Sequence, residues 1–241
     1  MERVRERAMI QSSFTRKGIP NSWSWTVLCF AGAAALLLVQ GCGHEERGPD
    51  AARAAVKTSL PADVDPNQPK TISFSDLASL PDPPGVTKND PRYADARIPA
   101  FSNPLGVKEG DAVKIGAYLH RVTYMGDGDY NLRFSNSPDS ADNYIVSEIP
   151  DDDDVPRRIR PMVVAARKYL KGQILGGKEP AKAGTDLNPA PYVEITGGLY
   201  FSDSHVGDPP APDRQGLHRA SSWQIHPGIG IATATPPAPA H

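Results

Sequence analysis

Residues 113–134, VKIGAYLHRVTYMGDGDYNLRF, contain the pattern from which the fold of this chain is predicted. Apolar side chains alternate with polar or small ones over the first seven residues, and the alternation changes phase at Val122. One extra residue exchanges the two faces of a strand, so the phase change predicts a long strand with a bulge near His120. The Gly-Asp-Gly-Asp sequence at 126–129 favours a tight hairpin, and alternation resumes in a second strand from Tyr130.

Further along the chain, alternation predicts three more strands, at 143–150, 192–201 and 222–232. A helix is predicted between the third and fourth strands, because apolar residues recur there at spacings of three and four. Its start is predicted at Val155-Pro156, where preceding carboxylates suit the positive end of the helix dipole, and Gly176-Gly177 is expected to stop it.

The predicted order is therefore three strands, one helix and two strands, with a long and curved first strand. This is the order of the OB-fold, a small five-stranded barrel with an amphipathic helix between strands three and four. We predict a mainly β protein of this class. An SH3-like barrel and an open α+β sheet are the alternatives.

Four segments of different composition divide the chain. Residues 1–41 read as a signal peptide, 42–104 as a proline-rich tether, 105–234 as the barrel domain and 235–241 as a disordered tail. Proline fixes φ and removes the backbone donor, so the tether is expected to be extended. Within it, residues 72–80 are expected to form a short turn or helix that docks on the domain.

The segment before the tether has the layout of an export signal. Residues 1–25 carry a net charge of +3, Thr26–Val39 is an uncharged run of 14 residues, and Val39–Cys42 reads Val-Gln-Gly-Cys. This pattern resembles the lipobox of bacterial lipoproteins, which implies cleavage before Cys42 and acylation of its sulfur. A run of this length is short for a bilayer of about 30 Å; a short membrane anchor or a buried helix is the alternative. In such lipoproteins Gly43 favours the outer membrane, so the resemblance implies an exported, lipid-anchored protein at its periplasmic face.

Cysteine content and charge exclude several classes of function. The only two cysteines are Cys29, within the signal, and Cys42, so the rest of the chain has no thiol for a disulfide or a zinc site. Residues 42–241 contain 21 Lys and Arg against 26 Asp and Glu. A chain of this net charge, about −5, is not expected to bind nucleic acid generically, because that binding depends on Lys and Arg displacing counterions.

The predicted domain contains four short motifs, which are GDGDYNL at 126–132, VSEIP at 146–150, VEITG at 193–197 and WQIHP at 223–227. They resemble motifs of a set of uncharacterised exported bacterial proteins. Those proteins typically read GDGDYH, EIP, VTG and WEIHP, and the resemblance brings no activity with it. This chain differs from the pattern at Asn131, in place of histidine, and at Gln224, in place of glutamate.

The candidate site lies in and around the segment Ser202 to Ser221, which has no periodicity and is long for a connection in a compact domain. In an OB-fold this is the loop between strands four and five, one of the two loops that shape the binding face. The candidate ligand-binding residues are Asp203, His205, Arg214, His218, His226 and Glu194.

Two interpretations of these residues stay open. Imidazoles and carboxylates can hold a divalent metal that activates a water, while the same residues can equally be the polar surface of a solvated loop. For His226, a hydrogen-bonded structural role and a catalytic role are the two alternatives. No spacing fixes two metal ligands on one element, so no cofactor is predicted.

The sequence thus favours an envelope lipoprotein whose barrel binds a ligand or a protein partner of the envelope, anchored to the membrane through Cys42. The alternative is a metal-dependent hydrolase of phosphodiesters or glycans that uses the histidines of the loop. Of these two, the non-enzymatic interpretation is preferred.

Overall fold

The computed structural model describes residues 53–207 and 212–238. They belong to the second of two units in the chain, which spans His44–His241. The signal peptide and Cys42 lie outside the described residues, and within the described part no helix is both long and apolar enough to cross a bilayer. The helices are α1 (Ala54–Lys57), α2 (Phe74–Ala78) and α3 (Arg160–Tyr169), and the strands are β1 (Lys70–Thr71), β2 (Ala112–Tyr124), β3 (Tyr130–Ser135), β4 (Ile145–Ile149), β5 (Thr185–Asp186), β6 (Tyr192–Phe201) and β7 (Trp223–Thr233).

Five of these strands close into a barrel in the order β2-β3-β4-β7-β6, with β6 returning to β2. The β4–β7 pair is parallel, and the other neighbours in the barrel are antiparallel. With α3 between the third and fourth barrel strands, this is the OB-fold-like arrangement predicted from the order of elements. The two-residue strands β1 and β5 add to the edges of β2.

The long strand β2 closes the barrel because it pairs on both sides. Its first half pairs with β6 and its second half with β3. The register with β3 shifts between Leu119 and Arg121, which confirms the bulge predicted near His120. The turn after β2 is tight, with Gly128 at φ 92°, a conformation that glycine adopts at little cost. The apolar faces of the strands meet inside, where Leu119, Val122, Leu132, Phe134, Ile145, Ile195 and Ile225 are fully buried.

Helix α3 packs on β7 through the buried face of Val163 and Ala166. It begins at Arg160 and not at the predicted Val155-Pro156, because the acidic stretch before it forms turns. Asp151 in particular donates its backbone N–H to Asp129 at 2.8 Å, which ties this stretch to the β2–β3 hairpin. After α3 the helix continues as a π-helical turn at Leu170–Ile174. It ends before Gly176-Gly177, the predicted stop, where both glycines have left-handed backbone conformations.

The expectation that residues 42–104 form an extended tether is wrong for the described part, residues 53–104. This segment wraps onto the barrel and contributes buried apolar side chains to the same core as the strands. The short helix expected within 72–80 forms as α2, capped by Ser73, whose hydroxyl accepts from the N–H of Asp76 at 3.0 Å. The apolar residues of this segment are widely and irregularly spaced, so no helical or strand period marked them as core. Those buried are Val56, Leu60, Ile72, Phe74, Leu77, Leu80 and Ile98.

Candidate ligand-binding groove

A groove of about 470 Å³ lies on the outer face of β2, β3 and β4. It is lined by residues 202–205, 213–215 and 219 of the loop between β6 and β7, by Lys57 at the end of α1 and by Lys182-Ala183. In OB-folds the face of the second and third barrel strands, here β3 and β4, is the usual binding surface. The volume is within the range of small-molecule sites, roughly 300–1,000 Å³.

Strand alternation decides which side chains reach this groove. In β3, Leu132 and Phe134 point into the barrel, so Asn131 and Arg133, which alternate with them, point outward. In β4, Glu148 lies directly opposite Asn131, and its Oε1 accepts a hydrogen bond from the Asn131 amide at 2.9 Å. The outer face is therefore polar wherever the inner face is apolar.

Arg133 ties residues 213–217 of the loop over the groove to the barrel. Arg133 donates from Nη1 to Asp213 at 2.5 Å and to the Gln215 side-chain oxygen at 2.7 Å. The other carboxylate oxygen of Asp213 accepts from the N–H groups of Gln215 and Leu217, which folds residues 213–217 into a compact turn. This part of the predicted loop is thus a fixed wall of the groove.

Under the floor of the groove lies His226, which is 1% exposed. Its ring stacks on the Tyr200 ring with 5.0 Å between centroids, and its Nδ1 is 3.2 Å from Oε2 of Glu148. Within the described residues, neither ring nitrogen of His226 makes a hydrogen bond. Burial lowers the pKa of His226 well below its usual range, and the positive charges of Lys57 and Arg219 lower it further.

This environment predicts that His226 stays neutral in the folded protein at neutral pH. Its folded pKa is below the unfolded value near 6.5, so the unfolded chain takes up the proton first. The contribution of neutral His226 to the free energy of unfolding is therefore complete above about pH 6.5, and it is lost as the pH falls from there through the folded pKa. We expect the free energy of unfolding to decrease on acidification below pH 6.5, and His226→Gln to reduce that decrease. Denaturant titrations at several pH values measure it; an unchanged pH slope in the variant would contradict the prediction.

Asp129, in the turn between β2 and β3, is expected to change the stability with pH in the opposite direction to His226. Burial raises the pKa of Asp129 to about 7, and the nearby charges of Asp127 and Glu148 act in the same direction. The folded state therefore favours the protonated acid, and stability is lost as the pH rises through 7. We expect Asp129→Asn to stabilise the protein at pH 8 by about 2–4 kcal/mol and to have little effect at pH 4. An equal effect at both pH values, in the same titrations, would show that ionisation is not the cause.

The structure brings some of the six predicted site residues together. Asp203, His205 and Arg214 line the groove, and His226 lies beneath it. Asp203 is also structural, since it is 3% exposed and accepts the backbone N–H of Asp90 at 2.9 Å.

His218 and Glu194 are not among the groove residues. His218 is bonded to Asp142, which accepts its backbone N–H at 2.6 Å and contacts its Nδ1 at 3.1 Å. Glu194 lies opposite Ala232, away from His226, and pairs with Lys114 at 3.2 Å. Over residues 53–207 and 212–238, no three His, Cys, Asp or Glu side chains are placed to hold a metal ion together.

Several groove residues were missed at the sequence level. Arg121, Arg133 and Gln224 are on the outward parity of predicted strands, so alternation could have identified them. Lys57 and Lys182 come from segments distant in sequence and carry no local signal. Three of the four short motifs quoted in the sequence analysis contribute to this place, since Asn131 and Glu148 line the groove and His226 lies beneath it.

Comparisons of the chain with protein-family models, with curated proteins and with solved structures found no match.

Proposed function

We propose that this protein is a membrane-anchored envelope lipoprotein whose barrel binds a ligand in the groove over β2, β3 and β4. The observation that carries the binding proposal is the groove itself, a polar cavity of about 470 Å³ on the customary OB-fold face, walled by a loop that Arg133 holds in place. The lipobox-like sequence ending at Cys42 supports the anchoring.

Ligand binding is tested by hydrogen–deuterium exchange of the full chain in neutral detergent, with a panel of oligosaccharides, sugar phosphates and short peptides. We expect at least one class to slow exchange in β3, β4 and the turn 213–217. Thr123→Trp, which places a bulky side chain in the groove, should abolish that protection. Val164→Trp is the matched control, because Val164 is exposed on α3. Protection confined to other surfaces, or unaffected by Thr123→Trp, would contradict the proposal.

Anchoring is tested separately by labelling cells with radioactive palmitate. The wild-type chain is expected to incorporate the label and to fractionate with membranes, and Cys42→Ser to lose both properties. A Cys42→Ser chain that matures and fractionates like the wild type would contradict acylation at this residue.

A further inference from the structure

We infer that the ligand of the groove carries an oxyanion, a phosphate or carboxylate group, on a small hydroxyl-rich body such as a sugar. This inference depends on the proposed function and specifies its ligand class. It starts from the charge of the groove, which is opposite to that of the chain, whose net charge is −2. Three carboxylates line the groove, at Glu148, Asp203 and Asp213, against six cations, which are Lys57, Arg121, Arg133, Lys182, Arg214 and Arg219.

The three carboxylates are already bonded within the protein. Asp213 is paired with the arginine that holds the loop, and Asp203 accepts the backbone N–H of Asp90. Glu148 accepts from the Asn131 amide. These acids are therefore engaged with the protein's own donors, and the surplus charge of the groove is positive.

Three of the cations have no such partner in the part of the chain that the structure describes. The side chains of Lys182, Arg214 and Arg219 make no hydrogen bond or ion pair there, and Nη1 of Arg219 is a buried donor without an acceptor. Leaving a buried charged donor unsatisfied is unfavourable, whereas an oxyanion supplies acceptors that match the fork of a guanidinium. The arrangement thus favours an anionic group in the groove.

The remaining lining favours a sugar-like body over a nucleic acid base. Proteins that bind single strands stack bases on exposed aromatic faces. Here Tyr200 is 2% exposed, with His226 stacked on its ring and the Arg53 guanidinium 5.0 Å from its centroid. The groove instead presents amides and hydroxyls, which hydrogen-bond to hydroxyl groups, at Thr123, Asn131, Ser204, Gln215 and Gln224.

Calorimetric titration of the full chain in neutral detergent tests the inference with three probes, glucose 6-phosphate, glucuronic acid and glucose. We expect saturable binding of one or both anionic sugars, weakened by added salt, and none of glucose. The two anionic probes distinguish a phosphate from a carboxylate ligand. Arg214→Gln and Arg219→Gln should each weaken binding by about 10-fold or more, the effect of losing one charged hydrogen bond.

Arg157→Gln is the matched control, because Arg157 is exposed and outside the groove lining, and it should bind like the wild type. Arg214 is exposed, so its variant reports on binding even if Arg219→Gln perturbs folding. Glucose binding as tightly as the anionic sugars, or anionic binding unaffected by Arg214→Gln, overturns the inference but leaves a groove ligand standing. An oligo-dT strand, titrated as a fourth probe, overturns it in favour of nucleic acid if the strand binds more tightly than the anionic sugars and Arg214→Gln weakens that binding. Absence of binding by both anionic probes overturns it as well, and the exchange experiment with the wider panel then decides whether the groove binds any ligand.

Discussion

Replacing Arg53 by methionine is expected to lower the free energy of unfolding by about 3–5 kcal/mol, because it leaves the Glu109 carboxylate buried without its partner. The two side chains are 1% and 0% exposed and lie 2.7 Å apart. Arg53 also donates to three backbone carbonyls, those of Tyr93, Ala96 and Phe201, and so joins the segment 53–104 to the end of β6.

Glu109 completes the same network from the other side. Its Oε2 accepts the N–H of Ile98 at 2.6 Å, and its Oε1 accepts the N–H of Phe201 at 3.0 Å. The cost of the Arg53 variant therefore comes mostly from an uncompensated buried charge. A double variant, Arg53→Met with Glu109→Gln, removes both charges and should recover part of the loss.

Equilibrium denaturation in urea measures both variants. Lys114→Met is the matched control, because it breaks the Lys114–Glu194 pair at 3.2 Å, whose side chains are 32% and 46% exposed. We expect that control to cost less than about 1 kcal/mol. A similar cost for the buried and the exposed pair would contradict the role assigned to Arg53.

The second large effect is expected at Trp223, where truncation to alanine should cost about 3–5 kcal/mol. This residue is 1% exposed at the start of β7, and its ring packs edge-on against Phe201 with 5.0 Å between centroids. It also stacks on Phe101 and donates from its indole nitrogen to the carbonyl of Pro81 at 3.0 Å. Trp223 thus joins the barrel to two points of the N-terminal segment.

Urea denaturation and limited proteolysis together test this assignment. Trp223→Ala should lower stability and increase cleavage within 53–104, while Trp223→Phe, which loses the hydrogen bond to Pro81 and one fused ring but keeps an aromatic side chain, should cost less, about 1–3 kcal/mol. Val164→Ala, at an exposed apolar site, is expected to stay within about 0.5 kcal/mol of the wild type. If Trp223→Ala lowered the free energy of unfolding no more than Val164→Ala does, the contacts of Trp223 would not be what holds residues 53–104 to the barrel.

The barrel was predictable because its information is local. The phase change around His120, the Asp-Gly turn and the alternation of the five strands each lie within a few residues, and all appear in the structure at or within two residues of their expected positions. The start of α3 was misplaced because Asp151 is used in a contact with Asp129, a residue on another element. Long-range pairing of this kind leaves no local pattern.

The packing of the N-terminal segment and the composition of the groove were not predictable for the same reason, because both depend on contacts between residues far apart in sequence. The high proline content of 42–104 indicated an extended chain, but extended chain can still pack, and the buried Arg53–Glu109 pair joins residues far apart in sequence. For the candidate site, the loop after β6 was recognised by its length, whereas Lys57, Lys182 and Arg219 meet only once the barrel has closed.

The early start of the folded unit limits its distance from a lipid anchor at Cys42, the acylation site proposed above. Arg53 is already locked into the core, and it follows the proposed acylation site by only 11 positions. Even fully extended, at about 3.3–3.6 Å per residue, a connecting segment of this length spans on the order of 40 Å. If Cys42 is acylated as proposed, a connection this short would keep the groove within that distance of the lipid surface, and a weak affinity would then suffice for a ligand that is itself confined to that surface.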